Sequence, residues 1–223
     1  LFVGVWVARF LGPEQFGTLS YAQAFVGLFG AFATLGMDGI VIKHLVKDEG
    51  NRDLLLGTTF TIKLLGAMVA LVIIGIVTVS TSNDNKDIII ITIIASALVF
   101  QSLNVIDFYF QSKVLSRYIV LVNLISQLIA SLIRIALILT NAPLIAFAYV
   151  ILFDAVILAV GYIYVYKHKN LSFRQWNFNK QTASELLKYS WPLAISGIVI
   201  SIYMKIDQVM IKEMLGNSSV GHY

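Results

Sequence analysis

The stretch "LLLGTTFTIKLLGAMVALVIIGIVTV", residues 54–79, decides the kind of fold that this chain adopts. It is longer than the ~20 predominantly apolar residues that a helix needs to cross a bilayer, and its one charged residue is Lys63. A backbone in lipid finds no water to bond, so a lone spanning segment has to be helical. The stretch therefore predicts a transmembrane helix that carries one cation inside it.

The composition of the whole chain agrees with a membrane setting. Of 223 residues, 58% are hydrophobic and 13% are charged, and the mean hydropathy is +0.84. Soluble domains have about 45–50% apolar and about 25% charged residues. With no Cys in the sequence, a disulfide framework and a thiolate metal site are excluded. The pI of 9.2 would suggest nucleic acid only if the basic residues gathered on one solvated face, and they do not.

Long apolar segments between short polar breaks predict an all-α bundle of seven membrane spans. Their expected ranges are 1–11, 18–46, 54–79, 87–110, 118–139, 143–166 and 186–215. The first is too short to cross a bilayer, so we expect that helix to be truncated at its N-terminus. The fourth is rich in β-branched residues, which favour strands in water, but its setting in lipid favours a helix. Thr182 and Glu185 predict a capping box at the start of the seventh helix.

The Lys and Arg residues in the breaks predict the orientation. Ten of them lie in breaks on one side of the membrane and three on the other. Because cytoplasmic loops carry an excess of Lys and Arg, we expect the basic breaks to be cytoplasmic, among them a linker over residues 167–184. Aromatic residues alternate with basic ones in that linker ("HKNLSFRQWNFNK", 168–180), a pattern that we interpret as lying at the membrane interface.

Two short segments share one pattern. "LGPEQFG" (11–17) and "LGNSSVG" (215–221) both read Leu-Gly, three turn-forming residues, an apolar residue and Gly. Six predicted helices separate them, so both lie on the same side, as a parallel internal repeat would require. The alternative is chance, because short turn patterns recur. Under duplication, residues 1–184 form an N-terminal lobe and residues 185–223 contain the first helix of a second lobe.

Ionisable residues inside spans are costly and therefore mark candidate sites. Lys63 lies in the third span, and Arg134 shares a face of the fifth with Asn123 and Gln127. A polar stripe at helical spacing follows the seventh span: Ser201, Lys205, Gln208 and Lys212. The acids within spans are Asp38, Asp107, Asp154 and Asp207. Two explanations are open for these charges. In one they form buried pairs that only fix the packing of helices, for instance Arg134 with Asp154, and in the other they line a water-filled cavity. Asp107 and Lys212 lie near helix ends and can also reach the membrane interface.

No metal-ligand cluster, phosphate-binding loop or nucleophile constellation occurs in the sequence. An enzyme is therefore not expected, and neither is a cofactor.

Two stretches resemble a known family. "ARFLGPEQFGTLSYAQAFVGLFGAFATLGMDG" (8–39) is similar to the start of bacterial polysaccharide flippases of the O-antigen type, within the multidrug/oligosaccharidyl-lipid/polysaccharide exporter superfamily. "LLKYSWPLAISGIVISIYMKIDQVMIKEMLGNSSVGHY" (186–223) resembles their seventh helix. The resemblance implies two six-helix lobes in the bacterial inner membrane. It also implies that an oligosaccharide on a polyprenyl diphosphate is flipped to the outer leaflet by alternating access.

The resemblance also implies roles for residues. We expect Lys63, Arg134 and Lys205 to bind the diphosphate, and Asn123, Gln127, Gln208 and Ser201 to contact the substrate. Asp38, Asp154 and Asp207 would balance charge or carry a coupling ion, for which H⁺ and Na⁺ are the candidates. Membrane lipids and a polysaccharide polymerase are candidate partners. The alternatives are an exporter of drugs or other small cations with the same two-lobe plan, and a non-transporting membrane scaffold.

Overall fold

The computed structural model describes residues 2–81 and 84–223. Residue 1 of the first predicted span and part of the break after the third lie outside that range. The described residues form helices and no strand, so the predicted all-α bundle is confirmed. The helices are α1 (Phe2–Thr34), α2 (Asp38–Lys47), α3 (Arg52–Thr81), α4 (Asn85–Gln101), α5 (Val105–Ser112), α6 (Arg117–Leu139), α7 (Leu144–His168), α8 (Lys180–Leu215) and α9 (Asn217–His222).

Six segments of the described chain are long and apolar enough to cross a membrane. The first of them, Phe2–Lys47, contains both the first and the second predicted spans, which accounts for the difference from seven. The fourth predicted span, despite its β-branched residues, is helical from Asn85 to Gln101. In lipid the need to satisfy the backbone outweighs the residues' preference for strands.

The predicted turn at residues 11–17 is a corner made by a single residue. Gly12 has φ 71° and ψ 171°, outside the helical region, and the residues on both sides of it are helical. The chain changes direction at Gly12, and Val7 and Leu11 before the corner are buried in the same core cluster as Leu19 and Phe25 after it. A positive φ carries no steric penalty in glycine, which explains why this residue type stands at the corner.

Two predicted spans contain breaks. The helix expected over 18–46 is interrupted between Thr34 and Asp38, where Leu35 and Gly36 have φ of 51° and 62°. A Cβ on Gly36 would lie 2.4 Å from the backbone nitrogen of Ala194, so this position also permits close approach of α8. The helix expected over 87–110 tightens into a 3₁₀ turn at Ser102–Asn104.

The start of α8 differs from the prediction. The helix begins at Lys180, and the residue that caps it is Asn179, whose side-chain oxygen accepts from the backbone N–H of Thr182 at 3.0 Å. Thr182 is therefore inside the first turn and does not act as the cap. The linker between α7 and α8 is shorter than residues 167–184. It packs onto the bundle, because the indole N–H of Trp176 donates to the hydroxyl of the buried Tyr166 at 2.9 Å.

The two ends of the bundle differ, and we name them by their residues. The basic end contains the breaks at 48–51, 113–116 and 169–179. The glycine end contains Gly12 and Gly216. Two core clusters fill the bundle. The cluster toward the glycine end contains Leu19, Ile74 and Ile91, and the cluster toward the basic end contains Leu56, Phe110 and Tyr166. Between the two clusters the second half of α1 lies against α3, α4 and α8, and there the polar residues converge.

At the basic end an ion pair joins two breaks. The Lys113 ammonium hydrogen-bonds to the Glu49 carboxylate and holds the pKa of that carboxyl below its usual value. The pair ties the α2–α3 connection to the end of α5.

Candidate functional site: a polar cleft beside α1

Two neighbouring cavities form one cleft along α1. The cavity nearer the basic end has a volume of about 240 Å³, and the other has about 450 Å³. Both are lined by Gly30, Thr34, Leu98 and Gln101, so they are parts of a continuous space between α1, α4 and neighbouring helices. The first extends to α2, α3 and α5, and the second extends to α8 through Gly197 and Ser201.

Lys63 is the buried cation of the first cavity. Its side chain is 5% exposed, and its Nζ lies 3.1 Å from Oδ1 of Asp38, whose side chain is 52% exposed. Nζ also lies 4.5 Å from the centre of the Phe108 ring, a favourable position for a cation over an aromatic face. The pair therefore joins a largely desolvated ammonium to a carboxylate that faces the open space.

The same cavity contains a second carboxylate. Asp107 lines it and accepts a hydrogen bond from the side-chain amide of Gln111 at 2.9 Å. Its place near the end of the fourth predicted span suggested that Asp107 could reach the membrane interface. It lies instead within α5 and lines the same cavity as Lys63, so it belongs to the cleft. Asn104 completes the polar wall.

Of the α8 stripe, Ser201 lines the second cavity, and Lys205 lies against Gly27, one of its wall residues. The Lys205 side chain lies across Gly27, since a Cβ built there would be 2.7 Å from Lys205 Cε. Gly27 is a wall residue of the cavity, so its missing side chain makes room for the side chain of the half-buried Lys205 beside the cleft.

The other members of that stripe lie toward the glycine end. Lys212 Nζ is 3.7 Å from Asp87 Oδ2 and 4.2 Å from the centre of the Tyr21 ring, so it ties α8 to α4 and α1. Gln208 is half-buried on the same helix between the two lysines. The neighbouring Asp207 accepts a hydrogen bond from the Tyr223 hydroxyl, which satisfies it outside the cleft.

The structure does not bring the α6 candidates to the cleft. Arg134, Asn123 and Gln127 are not among the residues that line it, and Gln127 is exposed. Asn123 accepts from the Tyr162 hydroxyl at 3.1 Å, which joins α6 to α7. Arg134 forms no ion pair within the described residues.

Asp154 also belongs to the contact between α6 and α7. Its carboxylate accepts from the hydroxyl of the fully buried Ser126. The expected pairing of Arg134 with Asp154 is therefore not observed, because Ser126 occupies the position facing Asp154. The packing explanation fits this acid better than a site does.

Several cleft residues were missed in the sequence. Gln23 and Thr34 stand on one face of α1 with Gly27 and Gly30 between them, at helical spacing. That alternation of polar and glycine residues was a usable signal. Gln101 precedes the 3₁₀ turn that interrupts the fourth predicted span, and Asn104 is the last residue of that turn. Nothing in the apolar run of that span marks the turn.

The two glycine corners meet at the glycine end. A Cβ on Gly17 would lie 1.8 Å from the carbonyl oxygen of Asn217, and a Cβ on Gly221 would lie 1.8 Å from that of Pro13. In the alignment of the two segments, Gly17 corresponds to Gly221 and Pro13 to Asn217. The two contacts therefore interchange when the segments are swapped, as a two-fold arrangement requires.

The bundle has a known transporter fold. The chain is similar to a solved structure described as the inward-facing conformation of a multidrug resistance MATE family transporter of the MOP superfamily, with a TM-score of 0.70 and 18% sequence identity. The alignment covers 98% of this chain and 54% of that one, so this chain spans about half its length. At this identity the likeness shows the fold alone.

The family is shown by the sequence itself. Residues 2–223 match the model of the polysaccharide biosynthesis protein family, and the chain belongs to that family. The resemblance noted at residues 8–39 and 186–223 is thereby confirmed at the level of the family. A comparison with curated protein sequences gives no match.

Proposed function

We propose that this chain is the cargo-binding part of a transporter that moves an oligosaccharide linked to a polyprenyl diphosphate across the bacterial inner membrane. The cargo's diphosphate and sugars bind in the cleft, while the prenyl tail stays in lipid. The observation that supports this most directly is the cleft itself, where the ammonium groups of Lys63 and Lys205 flank a space lined by amides and hydroxyls.

The chemistry of the cleft suits such a cargo. A diphosphate needs cations, and sugar hydroxyls need partners that both donate and accept, which Gln23, Gln101 and Ser201 supply. Lys205 lies at the level of Gly27, whereas Lys63 pairs with Asp38, beyond the end of α1 at Thr34. Gly27 and Thr34 are about 10 Å apart along α1 by the helical rise. A diphosphate with several sugars is long enough to reach both levels. We propose that the diphosphate binds at one of these two lysines, that the sugars extend to the other, and that Arg134 does not contribute.

Alternating access requires that the two sides of the cleft separate in turn. We propose that α1 belongs to one lobe and that α8 and α9 begin the other, with the Gly17–Asn217 and Gly221–Pro13 contacts closing the glycine end. An internal repeat related by an axis along the membrane normal produces such paired contacts. On this proposal the basic end faces the cytoplasm.

The test is export in cells that lack the chromosomal copy of the transporter and carry the full-length gene as wild type or variant. Lys63→Gln and Lys205→Gln should each abolish surface polysaccharide while the protein still reaches the membrane. Arg134→Gln is the matched control, because it also removes a cation from a spanning helix, but outside the cleft. Unchanged export by both cleft variants would overturn the proposal.

A second candidate function is export of a small organic cation. It is favoured by the two carboxylates, Asp38 and Asp107, that line the cavity around Lys63. It predicts that Asp38→Asn abolishes efflux of a cationic dye from cells that express the protein, and that Lys205→Gln does not. Loss of dye efflux in Asp38→Asn together with normal polysaccharide would favour this function over the first.

A further inference from the structure

A cluster of two cations and a phenol lies at the basic end, away from the cleft. The Tyr118 hydroxyl accepts from Arg117 Nη2 at 2.9 Å and from Lys169 Nζ at 2.8 Å. Both cationic groups also lie over the Tyr118 ring, 4.8 and 4.3 Å from its centre. The two positive groups are therefore no more than 5.7 Å apart, the sum of the two hydrogen-bond distances.

These charges lack a carboxylate partner. Within the described residues neither Arg117 nor Lys169 forms an ion pair. Glu49, the acid that contacts the adjoining break, is bound by Lys113 instead. Like charges at this separation repel each other, and an anion placed between them would remove that repulsion. The hydroxyl oxygen holds them together but does not neutralise them.

The cluster is built on a rigid base. The Tyr118 ring packs against Phe110, which is fully buried, with 6.1 Å between ring centres. Arg117 begins α6 and Lys169 follows the end of α7, and these helices approach so closely that a Cβ on Gly161 would lie 2.5 Å from a methyl group of Val122. The N-terminus of α6 has no side-chain cap, so its first backbone N–H groups also favour an anion.

The surroundings indicate which anion fits. The cluster stands at the ends of two spanning helices, where the membrane meets water. Exposed apolar side chains continue along both helices within the membrane: Leu121, Leu124, Ile125, Val160 and Tyr164. The three from α6 follow Arg117 at helical spacing, on the same face of the helix. A ligand with a phosphate at the interface and hydrocarbon chains alongside such side chains is a phospholipid.

We propose that Arg117, Tyr118 and Lys169 form a binding site for the headgroup of an anionic phospholipid in the leaflet at the basic end. The lipid phosphate lies between the two cations, and its acyl chains lie along α6 and α7. The site is separate from the cleft and does not depend on what the cleft transports.

The test uses the full-length protein purified in a neutral detergent. Its thermal unfolding is followed while phosphatidylglycerol, phosphatidylcholine of the same chain length, or inorganic phosphate is added. Phosphatidylglycerol should raise the melting temperature of the wild type, and the other two should not. The doubly substituted Arg117→Gln/Lys169→Gln protein should need a roughly thirtyfold higher phosphatidylglycerol concentration for the same rise.

Arg174→Gln/Lys180→Gln is the matched control, because it removes two exposed positive charges from the same end of the bundle. It should respond to phosphatidylglycerol as the wild type does. An equal response of Arg117→Gln/Lys169→Gln and the wild type would overturn the site. A rise with inorganic phosphate as large as that with phosphatidylglycerol would overturn its assignment to a lipid. Native mass spectrometry gives a second readout, since the cluster variant should retain fewer phosphatidylglycerol molecules than the control.

Discussion

Gly12 and Gly216 adopt the same extended, positive-φ backbone conformation, with φ and ψ of 71° and 171° in the first and 86° and 174° in the second. Each follows a Leu, ends one helix and begins another. Few conformations allow a chain to pass from helix to helix through one residue, so the shared corner gives the sequence pattern at 11–17 and 215–221 a physical reason. The corners bring Gly17 and Gly221 to backbone carbonyls of the opposite segment.

The first prediction concerns that contact. Gly221→Ala would place a methyl group where the Pro13 carbonyl stands, and a backbone atom cannot give way as a flexible side chain can. We expect overpacking that costs about 1–3 kcal/mol of stability in the form with a closed glycine end. If that contact has to form during transport, surface polysaccharide falls as well.

Gly75→Ala is the control, because a Cβ there meets no atom within 4 Å and alanine is the better helix former. Thermal unfolding of the purified proteins and surface polysaccharide in cells are the two measurements. Equal stability of Gly221→Ala and the wild type would contradict the observed contact.

The second prediction follows from the unequal burial of an ion pair. Lys63 is 5% exposed and Asp38 is 52% exposed at the side chain. Removing Asp38 leaves a desolvated cation without its partner, whereas removing Lys63 leaves a carboxylate that the open cleft can hydrate. We therefore expect Asp38→Asn to destabilise the protein by about 3 kcal/mol, and Lys63→Gln to cost less.

Denaturant or thermal unfolding in one detergent compares the two variants directly, and the Asp38→Asn/Lys63→Gln protein completes the double-mutant cycle. The reverse order of stabilities would show that Lys63 is hydrated in the folded protein.

The sequence predicted the class of fold well and the site only in part. Hydropathy and the cost of unpaired backbone groups in lipid depend only on the local sequence, so long apolar segments were enough to predict the helices. This held even at Ile88–Ile91, which would favour a strand in water. The two glycine corners fall within the segments whose turn pattern the sequence shows. The break at Leu35 and Gly36, in contrast, coincides with a close contact to Ala194 of α8, and such a distant contact is not encoded locally.

Side-chain placement explains the remaining differences at the site. Lys63, Lys205 and Ser201 were recognisable because each interrupts an apolar helix face, and all three lie at the cleft. Arg134 interrupts such a face as well, yet it is not at the cleft. A charged residue within a spanning helix indicates that its surroundings are not lipid alone. Which neighbouring helix it faces depends on the packing of the bundle, and the spacing of residues in the sequence does not determine that packing.

The third prediction concerns pH. The Lys113 ammonium lowers the pKa of Glu49, so the ionised form is favoured by folding. The stabilisation from this pair is therefore present above the unfolded pKa of about 4.3 and is lost as the pH falls through the lower folded value. Lys113→Gln should lower the melting temperature slightly at pH 7 and not at the acid end of that window. The effect is small because the carboxylate is exposed. A difference between variant and wild type that persists below the folded pKa would assign it to packing of the Lys113 side chain instead.

The last prediction separates a wet cleft from a dry scaffold. The chain contains no Cys, so single cysteines can be introduced without background. Ser201→Cys, on the cleft wall, should react with a water-soluble maleimide in the purified full-length protein if water fills the space between α1 and α8. Ser126→Cys lies in the contact between α6 and α7 with no exposed surface, and it should stay unreacted until the protein is denatured.

Ile200→Cys, one position along and exposed on the apolar side of α8, tests whether any accessible site on that helix reacts. Thiols react as thiolates, which form in water and not in lipid, so a reactive Ser201→Cys beside an unreactive Ile200→Cys would locate the water on the polar face. Equal silence at both would mean that the charges of α8 are packed against other helices, and the cleft would then hold no hydrated cargo.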